Sequence, residues 1–193
     1  MNNSDYDIIQ RILSGEQQAY AELVDRHKDK AMALSVRMLK NHHEAEEVLQ
    51  DAFVRTFRAL PSFEWKSNFS TWFYRIVFNL CSTALSKRGE QIRISIHDDE
   101  DENRSLQISS TEEIPDIELE QKELQQIIQM EIDKMSVEYS TILTLFVIQE
   151  MSYEEIVSVT GLPLGTVKNR LFRARALLRN AVLKHFPKNL IAR

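Results

Sequence analysis

The chain has 193 residues, 43% of them hydrophobic and only four each glycine and proline, which suits one medium or two small helix-rich modules. One cysteine excludes an intramolecular disulfide and fits a reducing compartment. With no signal peptide and no apolar run long enough to cross a bilayer, the expected location is the cytoplasm, without membrane insertion. The net charge of −5 is spread unevenly: residues 1–86 carry −1, residues 87–126 carry −7 and residues 127–193 carry +3.

In chain order, Tyr6, Ile9 and Leu13, then Ala19, Tyr20, Leu23 and Val24, fall at helical spacing with Ser14-Gly15 as a break. A long helix is predicted from about Lys28 to Leu39. After Asn41-His42-His43, another is predicted from Glu44 to Leu60, stopping before Pro61. Ser70 is placed to cap a fourth helix through Trp72, Phe73, Ile76, Val77 and Leu80. Residues 91–116 show no sustained period and contain the run Asp98-Asp99-Glu100-Asp101-Glu102, which reads as a flexible acidic linker. Helices resume over Ile117 to Met135 and Val137 to Gln149, the latter rich in apolar side chains between Ile142 and Ile148. The expected fold is all-α, with one small module over 1–90, the linker over 91–116 and a second module over 117–193.

The segment MSYEEIVSVTGLPLGTVKNRLFRARALLR (151–179) carries the clearest function. A short helix from Tyr153 to Thr160 is stopped by Gly161, which tolerates the left-handed conformation, and Pro163 prevents direct continuation. Thr166 is placed to cap the next helix, whose apolar side is Val167, Leu171, Ala174 and Leu178. Basic residues fill the opposite side. That is the layout of a helix-turn-helix, whose second helix enters the major groove with Lys168, Asn169, Phe172 and Arg173 near base edges.

A second block, PSFEWKSNFSTWFYRIVFNL (61–80), packs seven aromatic residues around Lys66 and Arg75. Aromatic faces stack on unpaired bases while cations follow phosphates. Phe73, Ile76 and Val77 read as core by their spacing, and Trp72 fits either role. Phe63, Trp65, Lys66, Asn68, Phe69, Ser70 and Thr71 are the candidates for single-stranded DNA.

The segment YEEIVSVTGLPLGTVKNRLFRARALL resembles domain 4 of the extracytoplasmic-function (ECF) group of bacterial sigma factors, with Asn169 where that family usually has serine. HHEAEEVLQDAFVRTFRAL (42–60) is similar to sigma region 2.2, with Glu47 in place of the usual aspartate. The aromatic block resembles regions 2.3 and 2.4, the match extending to Arg75, Ile76 and Asn79. Thr83 and Ser86 stand where the family often carries an aspartate and an arginine, leaving Lys87 and Arg88 as the basic end. The three blocks occur in the family's order and separation.

The resemblance implies a non-enzymatic subunit that docks on core RNA polymerase and reads two promoter elements. It assigns polymerase binding to Glu46, Glu47, Gln50 and Asp51. It assigns the −10 element and its melting to the aromatic-loop candidates together with Trp72, Arg75 and Asn79. It assigns the −35 element to the base-facing set on the second helix, with Thr166, Arg170 and Arg175 on phosphates. An anti-sigma factor is a further implied partner, for which Ile142 to Ile148 could serve as interface or equally as core.

The implied elements lie about 85 Å apart along B-DNA, while a relaxed joint of about 26 residues spans only about 25–30 Å. Polymerase is therefore expected to hold the modules apart. The alternative reading is a helix-turn-helix regulator that binds duplex DNA without becoming a polymerase subunit. No metal or cofactor is expected, since the five histidines lack ligand spacing, no glycine-rich phosphate loop exists and Cys81 has no evident base.

Overall fold

The computed structural model describes residues 4–89 and 121–186. Eight α-helices make up these residues: α1 Asp5–Leu13, α2 Ala19–Leu39, α3 His42–Ala59, α4 Phe69–Lys87, α5 Gln121–Lys134, α6 Val137–Val147, α7 Tyr153–Thr160 and α8 Leu164–Leu183. The predicted linker at 91–116 lies outside the described residues, as does the acidic run Asp98–Glu102.

Six boundaries differ from expectation. The helix predicted to begin near Lys28 is the second half of α2, which is unbroken for 21 residues. His27 occupies its inner face where an apolar residue was sought. The imidazole Nε2 meets Asp5 Oδ2 at 3.1 Å, and the ring packs edge-on against Phe69 at 5.3 Å. Helix α3 begins at His42 because Asn41 caps it, accepting from the Glu44 amide at 3.2 Å. It ends at Ala59, and Pro61 sits in a short 3-10 turn over Leu60–Ser62.

Ser70 does not cap α4, which starts at Phe69 with Asn68 in the cap position, and the Asn68 amide is bonded elsewhere. Thr166 does not cap α8 either. That helix starts at Leu164 behind Pro163, and Thr166 is buried in its first turn. Helix α6 stops at Val147, two residues short, and Glu150 turns the chain with a left-handed φ of 56°.

The N-terminal module wraps α1, α3 and α4 around α2. Its core is Ile8 and Ile9 of α1, Leu23, Leu34 and Met38 of α2, Ala45 and Ala52 of α3, and Phe73, Val77 and Cys81 of α4. Burial pushes the Cys81 thiol up to about 12, so it is a protonated core group. The C-terminal module closes over Ile132, Ile142, Leu143, Leu145, Ile156, Val159, Val167 and Leu171. The apolar stretch beginning at Ile142 is therefore largely core, with Val147 left exposed at its end.

The two modules pack on each other, α2 against α6 and α4 against α7. Arg37 of α2 pairs with Asp133 (Nε–Oδ1 3.1 Å), and Lys40 Nζ donates to the Asp133 carbonyl at 2.7 Å. Gln149 donates to the Lys30 carbonyl at 2.9 Å. At the other end of the interface, Asn68 and Thr71 both donate to Glu155.

Candidate nucleic-acid interface

The helix-turn-helix is built from local signals that all agree. Ser152 accepts from the Glu155 amide at 3.2 Å while the Glu155 carboxylate accepts from the Ser152 amide at 2.9 Å, a reciprocal cap for α7. Gly161 ends the helix at φ 73°, a conformation that would strain any residue with a Cβ. Leu162 is buried and anchors the turn, and Pro163 leads straight into α8. With Val167, Leu171 and Ala174 buried, helical geometry turns Lys168, Asn169 and Phe172 outward. Phe172 is 59% exposed, a state that no packing requirement explains. Arg173 is half-buried beside this set. Arg175 lies over the Phe146 ring, 4.4 Å from its centroid. Thr166 and Arg170 are on the buried side of α8, Arg170 beside Phe78 of α4 and Ile142 of α6.

The loop between α3 and α4 is the second site. Trp65 has a left-handed φ of 58°, rare for a bulky residue, and is 38% exposed. It packs against Phe63 (centroids 4.7 Å) and against Tyr6 of α1 (4.9 Å), and Phe63 continues onto Trp72 at 4.8 Å. Phe69 and Thr71 are buried, and Trp72 and Ser70 are half-buried. Lys66, which pairs with Glu64, and Asn68 are exposed, as are Arg75 and Asn79 further along α4. A cleft of about 770 Å³ opens here, lined among others by Asp5, Tyr6, Trp65, Asn68, Glu154 and Glu155.

On α3, Glu46, Glu47, Gln50 and Asp51 are all exposed. His42 lies 3.3 Å from Glu46, and Asp51 pairs with Arg55 at 3.0 Å, both one turn apart. The four side chains form one acidic surface on the side away from Ala45 and Ala52.

Comparison with known proteins decides what this combination is. Sigma-70 region 2 matches residues 23–91, and Sigma-70 region 4 matches residues 125–178. The chain is 36% identical to the ECF RNA polymerase sigma factor SigW of Bacillus subtilis over 173 residues, covering 89% of this chain and 92% of the relative. It is 32% identical to the ECF RNA polymerase sigma-E factor of Escherichia coli, covering 93% and 94%. The chain belongs to the ECF sigma factors. Two solved structures share its fold at a TM-score of 0.60: CnrH in complex with the cytosolic domain of CnrY (22% identity, 96% of this chain and 100% of that one) and the Bartonella quintana sigma factor RpoE in complex with the anti-sigma factor NepR (23%, 86% and 96%).

Family membership makes this sigma factor a non-enzymatic specificity subunit of RNA polymerase and sets aside the free-standing regulator. Among the described residues, no helix is long and apolar enough to cross a membrane.

Four residues at these surfaces escaped the sequence reading. Tyr6, 54% exposed, joins the aromatic loop from a helix far off in sequence, and only the fold brings it there. Val54 and Phe57 are exposed on the same side of α3 as Gln50. Their signal was present: two large apolar residues on an otherwise charged face. Glu155 caps α7 with one oxygen, and its other oxygen reaches the loop. The proposed basic end of α4 is also different in kind. Arg88 is tied to Glu44 at 2.6 Å and to the Leu39 carbonyl, bracing α4 on α3. Thr83 and Ser86 bond backward to the carbonyls of Asn79 and Ser82.

Proposed function

We propose that this sigma factor reads a bipartite promoter, with residues 117–193 on the −35 element and residues 1–90 on the unpaired −10 strand, joined through residues 91–116. Lys168, Asn169, Phe172 and Arg173 face bases in the major groove, and Thr166, Arg170 and Arg175 serve the phosphate backbone. Phe63, Trp65, Lys66, Asn68, Phe69, Ser70, Thr71, Trp72, Arg75 and Asn79 hold the melted strand, with Trp65 and Tyr6 as stacking faces. Glu46, Glu47, Gln50 and Asp51, continued along α3 by the exposed Val54 and Phe57, form the face for core polymerase: charge beside apolar contacts. An anti-sigma factor controls the protein, a reading supported by the company its fold relatives keep, and the work is done in the cytoplasm.

The observation that carries this reading is Trp65, a bulky residue in strained backbone, part-exposed, at the surface end of an aromatic cluster rooted in the core. Transcription from a genomic fragment library by purified core polymerase, with and without the protein, tests it. New starts at a fixed distance beyond a shared two-part motif are expected. New starts that share only one upstream element would remove the −10 role.

A further inference from the structure

The packing of the modules seats one acidic side chain inside the loop assigned above to the −10 strand. Glu155 Oε2 accepts from the Ser152 amide at 2.9 Å, which is all the cap of α7 requires. Its other oxygen, Oε1, accepts from Asn68 Nδ2 at 3.0 Å and from Thr71 Oγ1 at 2.9 Å. These are two side-chain donors of the −10 set, and a carboxylate holds both. Glu154, Glu155 and Ser158 wall one side of the cleft whose other side is Tyr6, Trp65 and Lys66. A phosphodiester strand entering it meets three carboxylates, Asp5, Glu154 and Glu155, and finds the Asn68 and Thr71 donors occupied.

We propose that Glu155 is an internal competitor for the −10 strand, so that the free protein holds its single-strand site shut until the C-terminal module is drawn away. The proposal rests on the −10 reading of the loop. Two further observations support it. A second anchor, Asp133 between Arg37 and Lys40, fixes the opposite end of the same interface. Arg170, assigned to phosphate, lies on the buried side of α8 beside Phe78 of α4. Both modules become competent by the same motion. Modules in contact also cannot reach two elements about 85 Å apart, so opening is a condition of promoter binding, and a ligand that favours the open state drives it.

Fluorescence anisotropy of a labelled single strand with the full-length protein, without polymerase, tests this. The probe is the −10 strand of a promoter mapped by the transcription experiment. Glu155→Ala removes the competitor. Asp133→Lys opens the other anchor without touching α7 or the loop, so it carries the test should Glu155→Ala disturb α7. Glu154→Ala removes an equal charge from the same helix and sets the purely electrostatic gain.

Glu155→Ala and Asp133→Lys are each expected to tighten binding about tenfold beyond Glu154→Ala, the penalty a mostly closed population imposes. Trp65→Ala added to either should abolish that gain. If both opened variants bind no more tightly than Glu154→Ala while Trp65→Ala weakens binding throughout, the competitor is overturned and the −10 reading stands. If Trp65→Ala leaves the opened variants unaffected, the −10 reading falls and takes the competitor with it.

Discussion

The two surfaces that would read DNA are presented in opposite ways. On α8, Lys168, Asn169 and Phe172 stand in solvent, held there by a turn whose every residue has a local reason to adopt it. At the loop and first turn of α4, Asn68 and Thr71 are engaged by a carboxylate from the other module, and Trp65 in the same loop sits in strained backbone. The first surface is rigid and exposed, built from residues close in sequence. The second is assembled from α1, the loop and α7, and on the proposal above it admits a strand only when α7 withdraws. On the reading proposed above, such a subunit keeps its base-facing residues exposed while its melting face, and the phosphate contact at Arg170, wait for the modules to part.

The largest expected effect separates core from site within the aromatic residues. Phe73→Ala should cost about 3–5 kcal/mol of stability, because Phe73 is fully buried. Phe172→Ala should change stability by less than about 0.5 kcal/mol yet weaken promoter binding by the polymerase complex. Urea denaturation and promoter binding, measured on both variants, would break the comparison if Phe172→Ala proved the more destabilising.

Next in size are the two reading surfaces themselves. Trp65→Ala should lose about 1–3 kcal/mol of single-strand binding. Its transcription defect should be largely relieved on a template with a pre-melted −10 region, and an equal defect on both templates would contradict the assignment. Asn169→Ala should lose about 1–3 kcal/mol of discrimination at one −35 position and gain nothing from pre-melting. A Trp65 variant that behaved like the Asn169 variant would erase the distinction.

The smallest expected effect is on pH. Burial alone would raise the Glu155 carboxyl, but hydrogen bonds from Ser152, Thr71 and Asn68 outweigh it and hold the group below its ordinary value of 4.5. A carboxyl lowered in the closed form stabilises that form fully above 4.5, and this stabilisation is lost as pH falls through the lowered value. The advantage of Glu155→Ala over the unaltered protein in single-strand binding should therefore be constant from pH 8 down to about 5 and shrink only below that range. A gap that closed near neutrality would assign the contact to another group.

Much of the fold was legible because local chemistry agreed with tertiary need. Gly161, Pro163 and the apolar spacing of Val167, Leu171 and Ala174 define the helix-turn-helix without outside help. The misplaced boundaries mark where side chains serve more than one master. His27 hid the continuity of α2 because a polar residue fills a core position through Asp5 and an aromatic ring. Asn68 holds the cap position of α4 but spends its amide on the other module. Long-range pairing is what sequence periodicity does not carry. Tyr6 reads as part of a stripe, and Glu155 and Asp133 draw no reading at all, until the modules meet.

The closed packing of the two modules is the centre of this account, and the distance between them is its most direct measure. Energy transfer between one dye on α3 and one on α8, recorded for the free protein and for its complex with core polymerase, reads that distance. A single high-transfer population in the free protein, replaced by a low-transfer population in the complex, is the predicted result. Low transfer in both states, unchanged by Asp133→Lys, would show that the modules are apart in the free protein and would contradict it.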